Sequence, residues 1–239
     1  MQKRLRLKKH LLYWKKLATL PDLERRVIGQ AFRHYRRWGR TLDSNSISDR
    51  LPWITFEAID FAGTIVTPDS KVFEWGSGGS TLFWADRAAE VVSVEHDAAW
   101  YELCRYNTGI SSGPKIDYML IPPDKPEEGS TAVPDEFVST AKQYEDCDFR
   151  CYAECIDRFP DEYFDIVVVD GRVRAACICR GMAKVSPGGW LVLDNSERIR
   201  YLAGNEELTD PARWEERSFF GPIPYTTFFS KTSFFRKLK

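Results

Sequence analysis

The chain has 239 residues, of which 43% are hydrophobic and 14% aromatic, and its formal net charge is −1. This length and composition predict one globular, soluble domain of ordinary size with an extension. The longest apolar runs have the length of strands, far short of the roughly 20 residues of a bilayer-spanning helix. Lysines interrupt every apolar stretch near the N-terminus, so a secretory signal is not expected and the cytoplasm is the default compartment.

The first 40 residues form a strongly basic arm. They hold 13 Lys and Arg against Asp22 and Glu24, so the remainder of the chain is acidic. Apolar residues recur at helical spacing on both sides of Pro21-Asp22, which predicts a helical hairpin or a kinked pair. On the first helix they share one face, which consists of Leu7, Leu11, Trp14 and Ala18.

Two interpretations of the basic arm stay open. In one, its aromatic residues pack the arm onto the domain or onto a second subunit, which would make the protein a homo-oligomer. In the other, its cations meet an anionic partner, a membrane surface in particular, and the protein is peripheral to that membrane.

The rest of the sequence predicts a single α/β domain. Residues 1–48 are assigned to the arm and a polar linker, Thr41–Ser48, and residues 49–239 to the domain. A short helix is predicted at Leu51–Gly63, and strands alternate with helices from Lys71 on, which is typical of βαβ units. The predicted strands are Val72–Trp75, Val91–Glu95, Lys115–Ile121, Phe164–Asp170 and Gly189–Asp194, with two more near Phe219–Gly221 and Tyr225–Lys231; the predicted helices are Thr81–Ala89, Ala98–Tyr106, Phe149–Phe159 and Ala175–Val185. Residues 122–148 are a long Pro-, Gly- and acid-rich insertion, interpreted as a substrate lid.

The most informative stretch is Phe73–Thr81, in which a strand runs into a glycine-rich turn and then a helix. Glycines there let the backbone approach a ligand, and the start of the helix can hold a polar or anionic group. An acid at the end of the next strand, Glu95, can accept hydrogen bonds from ribose hydroxyls. This layout suits either a dinucleotide or S-adenosylmethionine, and a purely structural glycine turn is a further alternative.

The positions of the glycines favour S-adenosylmethionine. Gly76, Gly78 and Gly79 do not form the dinucleotide pattern G-x-G-x-x-G, because Thr81 stands at its last position. Glu74, two residues before the first glycine, would crowd a pyrophosphate but could pair with a cationic amino-acid group. An NAD-linked oxidoreductase is therefore the weaker alternative.

This acid, glycine turn and second acid resemble the first two motifs of the class I S-adenosylmethionine-dependent methyltransferases. The resemblance continues through Phe164–Arg172 and Ser186–Asn195, which are similar to that family's fourth-strand and fifth-strand motifs. It implies a Rossmann-like, seven-stranded, mostly parallel sheet with helices on both faces, whose last strand is antiparallel and lies beside the fifth. The cofactor-binding candidates are Glu74, Gly76, Ser77, Gly78, Ser80, Thr81, Glu95, His96 and Asp170, of which His96 is the weakest.

A narrower resemblance is to the metal-dependent catechol-type O-methyltransferases. In that family an Asp after the fourth strand and an Asp-Asn pair after the fifth hold Mg²⁺ beside the acceptor hydroxyl, and Asp170, Asp194 and Asn195 match those positions. The cation would lower the pKa of the bound hydroxyl. Alternatively, Asp194-Asn195 caps the following helix and Asp170 holds a turn.

The general base is the point at which this sequence departs from that family. The lysine expected about three residues after the first Asp is absent, and Asp170-Gly171-Arg172-Val173-Arg174 stands there. Guanidinium groups stay protonated, but Arg172 and Arg174 could clamp a carboxylate or phosphate of the acceptor. Asp170, Arg172 and Arg174 are the candidate catalytic residues.

The acceptor class follows from the motif after the fourth strand. The Asn/Asp-Pro-Pro-aromatic signature of amino-methyltransferases does not stand there, so a nucleic-acid partner is disfavoured. O-methylation of a small molecule or glycan is the leading hypothesis, with S-adenosylmethionine as cofactor and Mg²⁺ as an open question. The alternative is a non-catalytic Rossmann-like module that recruits an anionic partner or a membrane surface through its basic arm.

Overall fold

Strands and helices alternate along the domain as predicted. The computed structural model describes residues 2–20, 25–110, 113, 115–125 and 133–239. The helices within these ranges are α1 (Gln2–Ala18), α2 (Arg25–Thr41), α3 (Ser46–Asp49), α4 (Phe56–Ile65), α5 (Gly79–Ala85), α6 (Ala98–Thr108), α7 (Arg150–Glu154) and α8 (Arg174–Lys184). The strands are β1 (Lys71–Trp75), β2 (Glu90–Glu95), β3 (Ile116–Leu120), β4 (Phe164–Val169), β5 (Val185–Asp194), β6 (Trp214–Pro222) and β7 (Phe229–Lys237).

The seven strands form one sheet in the order β3-β2-β1-β4-β5-β7-β6. Strands β1 to β5 run parallel, whereas β7 is antiparallel to both of its neighbours, β5 and β6. The central strands β1, β2 and β4 are short and buried along almost their whole length, as expected for parallel strands with helices on both faces. The predicted Rossmann-like sheet is confirmed, with its antiparallel strand beside the fifth.

The sheet separates two apolar cores, because alternate side chains of each strand point to opposite faces. Phe73 and Trp75 of β1 belong to the core covered by α7 and α8. Val72, the residue before Phe73, points to the opposite face and belongs to the core covered by α4, α5 and the α1–α2 hairpin. Residues of the hairpin and of the sheet therefore share one core.

Two aromatic side chains anchor the hairpin. Tyr13 and Trp38 are fully buried. The Tyr13 hydroxyl donates a hydrogen bond to the carbonyl of Ala31 at 2.8 Å, and the Trp38 indole donates one to the carbonyl of Thr226 at 2.5 Å. The turn predicted at Pro21-Asp22 lies outside the described residues. None of the described helices is both long enough and apolar enough to cross a bilayer.

Some predicted boundaries were wrong. The polar stretch Thr41–Ser48 is not all linker, because Asn45 caps the short helix α3. The helix predicted at Phe149–Phe159 ends early and continues as a 3₁₀ turn, Cys155–Arg158. The strand predicted near Phe219–Gly221 lies within the longer strand β6, which already begins at Trp214. The strand predicted at Tyr225–Lys231 is displaced, since β7 begins at Phe229 and ends at Lys237. Pairing along the sheet edge, which the local pattern does not reveal, sets those lengths.

Candidate cofactor and acceptor site

The candidate site lies where the strand order reverses, between β1 and β4. From there the chain continues to β2 on one side and to β5 on the other, and in open α/β sheets ligands bind in the crevice outside the carboxyl ends of the strands at such a switch point. Gly76 has φ +95°, and a Cβ on it would lie 3.0 Å from the backbone nitrogen of Gly171. Only glycine lets these two loops approach so closely.

Gly79 is required for a different reason. A Cβ there would overlap the carbonyl oxygens of Ser46 and Leu51, because α3 and the residues after it cover the first turn of α5. On the other side of the turn, the Trp100 indole donates a hydrogen bond to the carbonyl of Ser77 at 2.9 Å. Packing within the protein therefore requires glycine in this turn, whether or not a ligand binds there.

Glu74 lies under this turn and is fully buried. One carboxylate oxygen accepts hydrogen bonds from the hydroxyls of Thr81 and Ser93, the latter at 2.7 Å. The other oxygen has no partner among the described residues. Burial raises the pKa of Glu74 to about 7, although the hydrogen bonds from Thr81 and Ser93 oppose the rise. Glu74 thus supports the start of α5 from below.

Glu95 ties the end of β2 to the glycine turn. Its Oε1 accepts from the backbone N–H groups of His96 and Asp97 at 2.8 and 2.9 Å. Its Oε2 accepts from the backbone N–H and the hydroxyl of Ser77 at 3.1 and 2.9 Å. Burial alone would raise the pKa of Glu95, but the hydrogen bonds and the His96 ring hold it below its usual value. The carboxylate is therefore charged.

The insertion covers this region. His96 Nδ1 lies 2.8 Å from Glu95, and its ring centroid is 5.1 Å from that of Tyr144 in the insertion. The Tyr144 hydroxyl donates to Asp97 at 3.1 Å. Phe137 and Phe149, near the ends of the described part of the insertion, are buried in the core. The residues from 126 to 132, which belong to the predicted lid, lie outside the described part.

Arg174 joins the loops after β4 and β5. Its guanidinium is 2.9 Å from Asp170 Oδ1 and 3.6 Å from Asp194 Oδ2, and it also donates to the backbone carbonyls of both residues. The residue is only 8% exposed. Burial and the neighbouring Asp194 raise the pKa of Asp170 well above its usual value in spite of Arg174. Arg174 is thus committed to holding the site together.

The three residues that the narrower resemblance assigns to Mg²⁺ do not fit a cation in this fold. A metal ion between Asp170 and Asp194 would meet the positive charge of Arg174, which already lies there. Asp194 also accepts from the Thr232 hydroxyl at 3.0 Å, and the Asn195 amide donates to Ser230 at 2.8 Å. The part of the chain that the structure describes contains no group of acidic, His or Cys side chains suited to a metal.

Arg172 differs from Arg174 in having no ion pair with any described residue. Its Nε is buried without a hydrogen-bond partner, and its guanidinium lies 5.8 Å from the centroid of the Tyr144 ring. Arg172 lines a cleft of about 170 Å³ between the loop after β4 and the insertion. Other residues around this cleft include Asp135, Glu136, Ser139, Thr140, Arg200 and Tyr201.

Sequence reasoning missed Tyr152 and Tyr201. Tyr152 is fully buried, and its hydroxyl, which has no hydrogen-bond partner, lies against Gly171. Tyr201 lies beside Arg174, and its hydroxyl accepts a hydrogen bond from Arg198 at 2.9 Å. Both tyrosines lie in segments that contain no recognisable motif, so no local signal could have singled them out.

The comparisons concern the fold. No family model and no curated protein matches this sequence. Among solved structures, a candidate O-methyltransferase from Klebsiella pneumoniae has a TM-score of 0.54 at 14% identity, over 89% of this chain and 97% of that one. A protein from Corynebacterium glutamicum has a TM-score of 0.53 at 10% identity, over 89% and 98%. An rRNA methylase from Streptococcus thermophilus has a TM-score of 0.50 at 12% identity, over 75% and 93%.

Likeness at such low sequence identity bears on the fold alone. The strand order, the single antiparallel strand beside β5 and the glycine turn at the switch point agree with it. The chain therefore has the Rossmann-like fold of the class I methyltransferases.

Proposed function

We propose that this protein is an S-adenosylmethionine-dependent methyltransferase that methylates an oxygen of a small molecule or glycan. The observation that carries the proposal is a set of buried polar atoms near the switch point that have no hydrogen-bond partner among the described residues: Glu74 Oε2 in β1, the Tyr152 hydroxyl against Gly171, and Arg172 Nε after β4. Each unmade hydrogen bond costs about 1–3 kcal/mol. A polar ligand at the switch point would offset part of that cost.

The residues around the crevice fit a nucleoside with an amino-acid portion. In this proposal the backbone of Gly76–Gly78 contacts the cofactor, and Glu95 accepts ribose hydroxyls in exchange for the Ser77 hydroxyl. His96, which follows Glu95, lies at the same edge. Glu74 holds Thr81 in place below the turn. When bound, S-adenosylmethionine supplies a methyl group on a sulfonium ion.

Asp170 is the residue to which we assign removal of the acceptor proton. It follows β4 at the switch point, and its side chain is 28% exposed. Burial and the neighbouring Asp194 raise the pKa of this carboxyl, which increases its affinity for the proton that a general base must take up. Arg174, the other arginine that the sequence predicts as catalytic, instead positions Asp170.

Arg172 is the group that we assign to the acceptor. An unpaired guanidinium in a cleft beside the base favours an acceptor that carries a carboxylate or a phosphate, which Arg binds in a bidentate manner. The hydroxyls of Ser139 and Thr140 add hydrogen-bonding partners. Because the donor set does not fit a metal ion, no cation takes part in this proposal.

Calorimetry with S-adenosylhomocysteine tests the cofactor assignment. We expect the full chain to bind it and Gly76→Ala to bind at least tenfold more weakly, because the loops after β1 and β4 can no longer close up. Gly109→Ala is the matched control, since Gly109 also has positive φ but has open space around its Cβ position. No binding by the unmodified protein at millimolar ligand would overturn the proposal and favour the non-catalytic module.

A further inference from the structure

The outward side of the α1–α2 hairpin is dominated by cations. Neither helix contains an acidic residue. Three arginines near the domain form ion pairs, Arg6 with Asp43, Arg33 with Glu57 and Arg37 with Asp60. The remaining basic side chains that the structure describes on the hairpin make no ion pair with another described residue; they are Arg4, Lys8, Lys9, Lys15, Lys16, Arg36 and Arg40.

Apolar side chains lie between these cations and face the solvent. Leu7 and Leu11 are 61% and 64% exposed, and Phe32 of α2 is 64% exposed. The Trp14 ring bridges the two helices, with its centroid 4.7 Å from that of Phe32. The face of α1 that the sequence pattern singled out, Leu7 with Leu11 and Trp14, is therefore not the buried one, since Tyr13 and Leu17 point to the core.

This outward face, defined by Leu7, Leu11, Trp14, Phe32 and the cations beside them, continues to the edge that carries the crevice. The Lys16 ammonium lies 5.2 Å from the centroid of the Phe228 ring, which is itself 57% exposed. Phe228 lies in the loop between β6 and β7. Because β6 runs in the same direction as β1 to β5, that loop stands at the carboxyl edge of the sheet.

Charge excludes one partner for the outward face. In a twofold dimer the same patch meets itself, so the cations of one copy would meet those of the other. The exposed leucines argue against nucleic acid, since phosphate contacts need cations and hydrogen-bond donors and gain nothing from aliphatic side chains. Apolar side chains flanked by Lys and Arg match the boundary between lipid headgroups and acyl chains.

We propose that the outward face of the α1–α2 hairpin rests on an anionic lipid bilayer. The leucines and Phe32 enter the headgroup region, and Lys8, Lys15 and Arg36 contact lipid phosphates. The opposite side of the hairpin stays packed on the sheet through Tyr13 and Trp38. The loop between β6 and β7, at the carboxyl edge of the sheet, then lies close to the bilayer surface.

Co-sedimentation of the full chain with vesicles tests this proposal without measuring methyl transfer. We expect binding to vesicles that contain phosphatidylglycerol and little binding to phosphatidylcholine alone. Lys8→Gln with Lys15→Gln should weaken binding about 30-fold, because each lysine near an anionic surface contributes about 1 kcal/mol. Leu7→Ser with Leu11→Ser should weaken it about tenfold while leaving the dependence on salt intact.

The control is Leu103→Ser with Lys115→Gln, since both side chains are exposed but lie on α6 and just before β3. Circular dichroism should show all variants folded, because every substituted side chain is at the surface. Equal binding to neutral and anionic vesicles would contradict the proposal. So would a control variant that binds as weakly as the hairpin variants. Binding to a single-stranded RNA, with no binding to vesicles, would show that the partner of this face is nucleic acid and not a bilayer.

Discussion

Two arginines after β4 have the same charge but different surroundings. Arg174 is buried and lies between Asp170 and Asp194. Arg172 has a buried Nε without a partner and lines the cleft between its loop and the insertion. The first stabilises the loops at the carboxyl edge, whereas the second is available to a ligand.

Substitution by methionine should separate these two roles. Arg174→Met should lower the free energy of unfolding by about 3–5 kcal/mol, because the buried Asp194 and the partly buried Asp170 lose the cation between them. Arg172→Met should change it by no more than about 0.5 kcal/mol but raise the KM for the acceptor. Urea unfolding and steady-state kinetics measure the two effects.

A second substitution checks the electrostatic cause. Asp194→Asn in the Arg174→Met background should restore part of the lost stability, since one buried negative charge is then removed. If the double variant is no more stable than Arg174→Met, lost packing and not charge explains the effect.

Glu74 makes stability depend on pH. Its pKa is raised to about 7 in the folded protein, so the fold favours the protonated carboxyl. The stability that this preference contributes is complete below the pKa of the unfolded chain, about 4.5, and is lost as the pH rises through about 7. Between about pH 5 and about pH 8, Glu74→Gln should become more stable relative to the unmodified protein, by up to about 3 kcal/mol.

Glu95→Gln is the matched control for this effect. The pKa of Glu95 is lowered, so its contribution is present at neutral pH and is lost on acidification. Relative to the unmodified protein, Glu95→Gln should therefore lose stability as the pH rises from about 4. The same sign of pH dependence in both variants would contradict the assigned surroundings.

Among the elements, the α1–α2 hairpin shows how an amphipathic pattern can have two apolar sides. Tyr13 and Leu17 are buried against the sheet, while Leu7 and Leu11 on the same helix are exposed. The Tyr13 ring lies 5.3 Å from that of Phe229 in β7, so the hairpin covers a strand that would otherwise be open to water. The hairpin is thus part of the folded core.

Paired alanine substitutions on α1 test this anchoring. Tyr13→Ala should destabilise the protein by about 3–5 kcal/mol, because it leaves a cavity between α1, α2 and β7. Leu11→Ala, two residues away but 64% exposed, should change stability by no more than about 0.5 kcal/mol. Thermal and urea unfolding measure both changes. Equal free energies of unfolding for the two variants would mean that the hairpin is only loosely attached.

Across the whole molecule, the positive charge and the candidate site lie in different parts of the fold. The cations concentrate in the hairpin, whereas the switch point between β1 and β4 holds buried acids under a glycine turn. The hairpin reaches the carboxyl edge through the carbonyl of Thr226. A binding surface and a chemical site can therefore act at the same edge of one fold.

The sequence by itself determined the fold class and the position of the crevice. Strands such as Phe164–Val169 are apolar without alternation, and glycines and acids stand at strand ends, so local pattern suffices to place them. It also predicted Glu95 and Asp170 as candidate site residues, because both acids stand at the carboxyl ends of predicted strands.

Only the tertiary structure decided what these residues touch. The sequence suggested a metal at Asp170 and Asp194, but the position of Arg174 between them depends on how α8 packs against β5. Likewise, the direction in which Leu11 points depends on which side of α1 meets β7, and helical periodicity cannot choose between two apolar faces. Contacts between residues far apart in the chain follow from packing, which no local pattern encodes.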